Sequence, residues 1–306
     1  MDLIYRYDPF QPVNQPKIDT ADDAVHTLIT GNDRFADIVS RMHERTMGGE
    51  AGEPIIVPVC PVSLGLPLFE GATLRQAPFA LVLGCSDARV PTEAVFDQSF
   101  NDLFVVRIAG NVLGTECLGS IDYAVKHLQD SLQLVVVLGH SGCGAVSAAV
   151  DGYLSPHDFV DIAFTHALRS LVDRIQIAVR GAAKSLRAVA GDDRFTKKVY
   201  RDMLIEAAVY LNAAVTAHDL NREIRSLGNT KLRIVYGVYD LTSLRVRCLP
   251  GDEAVAAGIS AAFADAPESA DNLVEIGSRL AELLVARAST AGSQTWTSTT
   301  QSWVTG

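Results

Sequence analysis

Residues 81 to 90 read LVLGCSDARV, and this stretch marks the point where a strand ends and a polar segment begins. Its first four residues are apolar or small, which is typical of a strand buried on both faces. Cys85, Asp87 and Arg89 follow directly, at the end of a strand where open α/β sheets gather their ligands. Whether the thiol is a buried hydrophobe, a nucleophile or a metal ligand depends on the partners that the rest of the chain supplies.

Short apolar runs alternate with helical patterns along the chain. The runs of strand length lie at residues 79 to 84, 104 to 108, 134 to 139 and 232 to 239. Helical spacing of apolar residues covers residues 20 to 35, 115 to 128, 159 to 227, 253 to 263 and 272 to 287. The alternation predicts an α/β fold with a mostly parallel central β-sheet of about four to five strands flanked by helices.

Composition and charge narrow the class of protein. With 48% hydrophobic and 20% charged residues, the 306-residue chain has a globular composition. Its net charge of −10 argues against a nucleic-acid or anionic-membrane binder, because phosphate binding needs a basic surface. No apolar run approaches the roughly 20 residues of a membrane span, and the N-terminal residues lack the apolar core of a signal peptide. Five widely spaced cysteines do not form a disulfide pattern, so we expect a cytoplasmic protein.

We expect one α/β domain over residues 1 to 290. A helical N-terminal arm occupies about residues 1 to 42, and an irregular segment rich in glycine and proline occupies about residues 44 to 75. Residues 291 to 306 are rich in serine and threonine, which predicts a mobile tail. Two tryptophans in this tail could dock on a partner or a neighbouring subunit.

A second motif supplies partners for Cys85. Residues 135 to 146 read VVVLGHSGCGAV, which places His140 and Cys143 just past another predicted strand. Together the three residues offer two thiolates and one imidazole, and a catalytic zinc site uses such a set with an open fourth position. A Cys–His nucleophile, with Cys85 as thiolate and His140 as base, is the alternative. The second thiol favours the metal, because a Cys–His hydrolase does not need it.

The two motifs together resemble a known family. CSDAR at residues 85 to 89 and HSGCGA at residues 140 to 145 resemble the paired motifs of the β-class carbonic anhydrases. The resemblance covers residues 76 to 149, and more faintly GNDRF at residues 31 to 35 and IVYGVYDL at residues 234 to 241. The family motif usually reads CSDSR, so an alanine here replaces a small polar residue.

The resemblance implies an enzyme that hydrates carbon dioxide reversibly to bicarbonate and a proton. It implies one zinc ion per chain, held by Cys85, His140 and Cys143, which lowers the pKa of a bound water. Asp87 would accept a hydrogen bond from that water, and Arg89 would hold Asp87 off the metal. Two thiolates cancel the charge of Zn²⁺, so we expect a less acidic water than in a three-histidine site and activity that rises toward alkaline pH.

The resemblance also assigns a substrate pocket to Gln76, Phe104, Ala109 and Tyr123. Gln76 would donate a hydrogen bond to a substrate oxygen, and the other three would form apolar walls that suit carbon dioxide. Core packing is the alternative for Phe104 and Tyr123. Val82 stands where members with a bicarbonate-controlled closed state carry tryptophan, which favours an open site. Family members build this pocket across a dimer interface, so at least a homodimer is expected.

Two other functions stay open on the same scaffold. One is hydrolysis of carbonyl sulfide or carbon disulfide, whose molecules are linear like carbon dioxide. The access route, which residues 44 to 75 could shape, would separate these substrates. The other is a catalytically silent zinc-binding sensor or structural subunit, and the presence of Asp87, Arg89 and Gln76 argues against it.

Overall fold

The structure is a computed structural model that describes most of the chain. The described residues are 3–8, 17–48, 53–59, 71, 73, 75–158, 164–191, 194–229, 231–251 and 261–290. Much of the predicted irregular segment and all of the predicted tail lie outside these residues.

A mostly parallel sheet forms the centre of the fold. The strands of the described residues are β1 (Leu3–Arg6), β2 (Ile55–Pro58), β3 (Ala80–Gly84), β4 (Leu103–Arg107), β5 (Leu134–His140), β6 (Arg233–Tyr239), β7 (Val246–Arg247) and β8 (Ala264–Asp265). Six of them form the central sheet in the order β4-β3-β5-β6-β7, with β8 also paired to β6. The pairings among β3 to β6 are parallel, which confirms the predicted fold class. The two-residue strands β7 and β8 run antiparallel to β6 and are too short to leave a periodic signal in the sequence.

Helices cover both faces of this sheet. They are α1 (Ala21–Gly48), α2 (Thr92–Val95), α3 (Thr115–His127), α4 (Gly144–Leu154), α5 (His166–Ala190), α6 (Lys197–Ser226) and α7 (Ala270–Thr290), with 3₁₀ turns at Ala109–Asn111 and Pro156–Asp158. The predicted helical region of residues 159 to 227 is divided between α5 and α6. The helix predicted at residues 253 to 263 lies mostly outside the described residues, and its described end, residues 261 to 263, is not helical.

The core lies in two layers, one on each face of the sheet. Every residue of β3 and β5 is buried, which explains why these strands read as continuous apolar runs. Leu81 and Leu83 belong to the cluster beneath α3 to α7, whereas Val82 belongs to the cluster beneath α1. Helix α6 packs against both β5 and β6. Among the helices of the described ranges, none combines the length and the apolar character that crossing a membrane requires.

The GNDRF segment, residues 31 to 35, fixes α1 to the rest of the fold. Asn32 is only 4% exposed and donates hydrogen bonds to the carbonyls of Val95 (3.0 Å) and Leu244 (2.9 Å). Its side-chain oxygen accepts a hydrogen bond from the Val246 amide at 2.9 Å. One amide side chain thus satisfies backbone groups of α2 and of residues 244 to 246, which include the start of β7.

Replacement of Asn32 by alanine should lower the free energy of unfolding by about 1–3 kcal/mol, because buried backbone groups would lose their partner. Urea denaturation followed by circular dichroism measures this change. Ser40→Ala, which removes an exposed contact on the same helix, is the control and should change stability by less than about 0.5 kcal/mol. Equal effects of the two substitutions would contradict the anchoring role of Asn32.

Candidate metal centre

Parallel pairing brings the two sequence motifs to one edge of the sheet. Strands β3 and β5 run side by side in the same direction, with Gly84 paired to Leu138. Cys85 follows the last residue of β3, and His140 is the last residue of β5. Cys143 comes immediately before the first residue of α4. Both motifs therefore emerge at the same edge.

The three predicted ligands converge there. One donor atom from each of Cys85, His140 and Cys143 lies within 4.8 Å of the other two, and the two sulfurs are 3.9 Å apart. The residues are 5%, 0% and 2% exposed, respectively, so the cluster is shielded from bulk water. Two sulfurs and one nitrogen at this spacing can hold a single metal ion, and this donor set suits zinc.

The His140 ring is oriented as a metal ligand requires. Its Nδ1 lies 3.0 Å from the Ser141 carbonyl oxygen, which can only accept, so Nδ1 carries the proton. Its Nε2 is buried and has no hydrogen-bond partner among the described residues. A neutral imidazole with one nitrogen fixed by a carbonyl and the other free is the usual state of a zinc-binding histidine. The unpaired Nε2 therefore fits a metal ion.

The two thiols compete for one proton. The hydrogen bond with Cys143 lowers the pKa of the Cys85 thiol to about 4, and His140 contributes in the same direction. The same contact, together with burial, raises the pKa of the Cys143 thiol well above its usual range. The pair holds one negative charge, because a second charge in this buried position would be uncompensated. A divalent cation would stabilise both thiolates and remove this conflict.

Asp87 and Arg89 form an ion pair beside the cluster. Arg89 donates from Nε to Oδ1 of Asp87 at 3.0 Å and from Nη2 to Oδ2 at 2.7 Å, so the contact is bidentate. The Arg89 guanidinium lowers the pKa of the Asp87 carboxyl to about 2, so this group is ionised at neutral pH. Oδ2 of Asp87 lies 3.8 Å from Nε2 of His140. A fixed negative charge therefore lies beside the His140 nitrogen that is available to a metal ion.

Arg107, at the end of β4, holds the loop that follows β3. It donates from Nε to the Cys85 carbonyl at 2.9 Å and from Nη2 to the Asp87 carbonyl at 2.5 Å. The sequence interpretation did not assign this residue. An arginine closing the apolar run LFVVR, at the sheet edge where the motifs end, is the signal that could have found it.

The four residues assigned to the substrate pocket lie in different surroundings. Gln76 is exposed, and Tyr123 is 51% exposed and packs against His127 with the rings tilted by 37° and their centroids 4.8 Å apart. Phe104 on β4 is partly buried against the core, and Ala109 opens the 3₁₀ turn beside β4. Among the described contacts, none joins these four side chains to the metal ligands.

Comparison with known proteins agrees with this geometry. The sequence profile of the family described as "Carbonic anhydrase" matches residues 80–246, more than half of the 306-residue chain. All three converging ligands and the Asp87–Arg89 pair lie inside the matched region. The chain belongs to the β-class carbonic anhydrase family.

Relatives with curated names share the central part of the chain. Carbonic anhydrase 2 of Mycobacterium tuberculosis is 51% identical over 80 residues, which cover 26% of this chain and 38% of that protein. The carbonic anhydrase of Mycolicibacterium smegmatis is 44% identical over 116 residues, which cover 37% of this chain and 52% of that protein. The matched region thus spans about half or less of the length of these relatives.

Two solved β-carbonic anhydrases resemble the chain at lower similarity. The Coccomyxa enzyme, solved in complex with acetazolamide, has a TM-score of 0.45 and 20% identity, with 72% of this chain and 83% of that chain covered. A tetrameric enzyme from Sordaria macrospora has a TM-score of 0.44 and 23% identity, with 73% and 95% covered. The family assignment rests on the sequence profile and not on these two likenesses.

Zinc binding should depend on pH and on Cys143. Between the pKa of Cys85, about 4, and the raised pKa of Cys143, zinc must displace the one proton that the pair holds. We therefore expect zinc affinity at neutral pH to fall by about tenfold for each unit that the pH is lowered. Competition with a chelator of known affinity measures this slope, and Cys143→Ser should abolish tight binding.

Cys117→Ser is the matched control, because Cys117 is also a buried free thiol but lies outside the cluster. It should bind zinc as the unaltered protein does. Zinc affinity that is independent of pH, or lost equally in both variants, would contradict the assignment of the ligands.

Proposed function

We propose that this protein is a zinc-dependent carbonic anhydrase that hydrates carbon dioxide reversibly to bicarbonate and a proton. The observation that carries the proposal is the convergence of Cys85, His140 and Cys143, with an ionised Asp87 3.8 Å from His140 Nε2. Three protein ligands leave a fourth position for an exchangeable molecule, whereas a structural zinc site has four protein ligands. Family membership supports this chemistry.

Zinc bound by these residues would supply the positive charge that acidifies a water molecule near neutral pH. The protein determines how strongly that charge acts. Two thiolates balance the charge of a divalent ion, so the site should work best at alkaline pH. The backbone contact of His140 occupies Nδ1 and leaves Nε2 as the nitrogen that can bind the metal.

Asp87 would act as an acceptor that orients the reacting water. Its carboxylate is already ionised and held by two hydrogen bonds from Arg89, so it cannot easily rotate. The backbone amide of Arg89 also donates to Oδ1 at 2.9 Å. We assign to Arg89 the role of holding Asp87 away from the metal position. This arrangement supports an open site.

We propose that a second copy of the chain completes the substrate pocket. Gln76 and Tyr123 expose polar and aromatic surface that their own chain does not cover. Phe104 and Ala109, on and beside the edge strand β4, would provide the apolar wall against which carbon dioxide binds. A homodimer formed at this edge would bring such residues from two chains together.

We also propose that the protein works in the cytoplasm. The four cysteines among the described residues are all free thiols, and none of them is joined in a disulfide. Free thiols persist in a reducing compartment, and a zinc site with two cysteine ligands needs them in that state.

Asp87→Asn should lower kcat/KM for carbon dioxide hydration by about 10²-fold, because an amide cannot replace the anionic acceptor. Stopped-flow hydration assays with the zinc-loaded protein measure the rate. Asp97→Asn is the matched control, since Asp97 also forms an ion pair with an arginine, Arg34, and is not part of the cluster. That variant should retain the full rate.

Zinc-loaded protein that does not hydrate carbon dioxide at any pH would contradict the proposal. The same preparation should then be assayed with carbonyl sulfide and carbon disulfide. Turnover of either compound would make the chain a hydrolase on this scaffold, and no turnover would leave a zinc-binding subunit without catalysis.

A further inference from the structure

We propose that Asn212 is a positioning residue for the metal centre. It fixes Gly110 in the backbone conformation in which the Gly110 amide donates to the Cys85 sulfur. This inference rests on zinc binding by the ligand cluster, which is part of the proposed function, but it does not depend on the reaction catalysed.

The Cys85 sulfur has a backbone donor of its own. The amide nitrogen of Gly110 lies 3.4 Å from Sγ, and both residues are buried. A buried thiolate is stabilised by such an N–H dipole, and the donor also restricts where the sulfur can point. Gly110 therefore acts on a ligand atom without touching the metal position itself.

Gly110 adopts a conformation that most residues avoid. Its φ of +70° is left-handed, and a side chain there would place Cβ 2.7 Å from Cδ1 of Ile175. Asn111, the next residue, is also left-handed, with a φ of +46°. Two consecutive left-handed residues persist only where surrounding contacts hold them.

Asn212 supplies such a contact from helix α6. Its side-chain Nδ2 donates to the Gly110 carbonyl at 2.8 Å, across 102 positions of sequence. Asn212 is 3% exposed and lies on α6 within the apolar stretch AAVYLNAAVTA. Without this donor, the Gly110 carbonyl would be buried and unpaired, and the turn would rotate toward another partner. The Gly110 amide would then leave the Cys85 sulfur.

The inference predicts a change at the metal and not only in the fold. Second-sphere contacts of this kind change metal affinity by about 10-fold to 100-fold, so Asn212→Ala should raise the zinc dissociation constant by about 10-fold. In the cobalt-substituted protein, loss of the N–H···S bond raises the energy of the sulfur lone pair. The sulfur-to-cobalt charge-transfer band should therefore move to longer wavelength.

The experiment compares three variants in the full-length, metal-loaded chain. Asn212→Ala removes the donor, and Asn212→Leu keeps about the size of the side chain but offers no hydrogen-bond donor. Asn221→Ala is the control, because Asn221 lies on the same helix, is 7% exposed and accepts a hydrogen bond from Arg225 far from the ligands. Thermal unfolding shows that each variant is folded, and chelator competition and cobalt absorption are the two measurements.

Weaker zinc binding and a shifted cobalt band in the Asn212 variants, with neither change in Asn221→Ala, would support the inference. Should Asn212→Ala not fold, Asn212→Leu, which leaves no cavity, decides the question. Unchanged affinity and an unchanged band, or equal changes in the control, would overturn it. Absence of carbon dioxide hydration would not affect these measurements, so failure of the proposed reaction and failure of this inference are distinguishable.

Discussion

Two sulfurs and one imidazole nitrogen, each within 4.8 Å of the others, belong to residues that are at most 5% exposed. Both thiols can be deprotonated there only if a cation compensates their negative charge. The site is therefore complete only with a metal. The register of two parallel strands creates this situation. Because Gly84 pairs with Leu138, the residues that follow β3 and end β5 arrive at the same edge. The register of β3 and β5 therefore determines where the metal ligands meet.

Hydrogen bonds from several elements hold two of the three ligands, Cys85 and His140. The backbone of Ser141 sets the His140 ring, while Arg107 from the neighbouring strand holds the loop after β3. Helix α6 reaches the Cys85 sulfur through Asn212 and the Gly110 turn. The ligand positions therefore depend on contacts with several elements of the fold. Catalytic competence would follow from this rigidity, because a metal site tolerates little displacement of its ligands.

The sequence predicted the fold class because apolar runs bounded by helical patterns have few alternative packings. It also predicted the ligand set, since Cys85, His140 and Cys143 stand at the ends of the most apolar strands. It could not reveal the Asn212 contact, which joins residues 102 positions apart through one hydrogen bond. The close approach at Gly31, where an added Cβ would stand 1.8 Å from the Phe96 carbonyl oxygen, was equally hidden. Contacts of this kind depend on the packed structure and leave no periodic signal.

X-ray absorption at the zinc edge of the purified protein counts the atoms bound to the metal. It therefore shows whether two cysteines and one histidine are its protein ligands. We expect about two sulfur neighbours of the zinc at about 2.3 Å and about two nitrogen or oxygen neighbours at about 2.0–2.2 Å. The nitrogen belongs to His140 and the remaining light atom to an exchangeable molecule. A first shell without sulfur, or with three or more sulfurs, would contradict a site built from Cys85, His140 and Cys143.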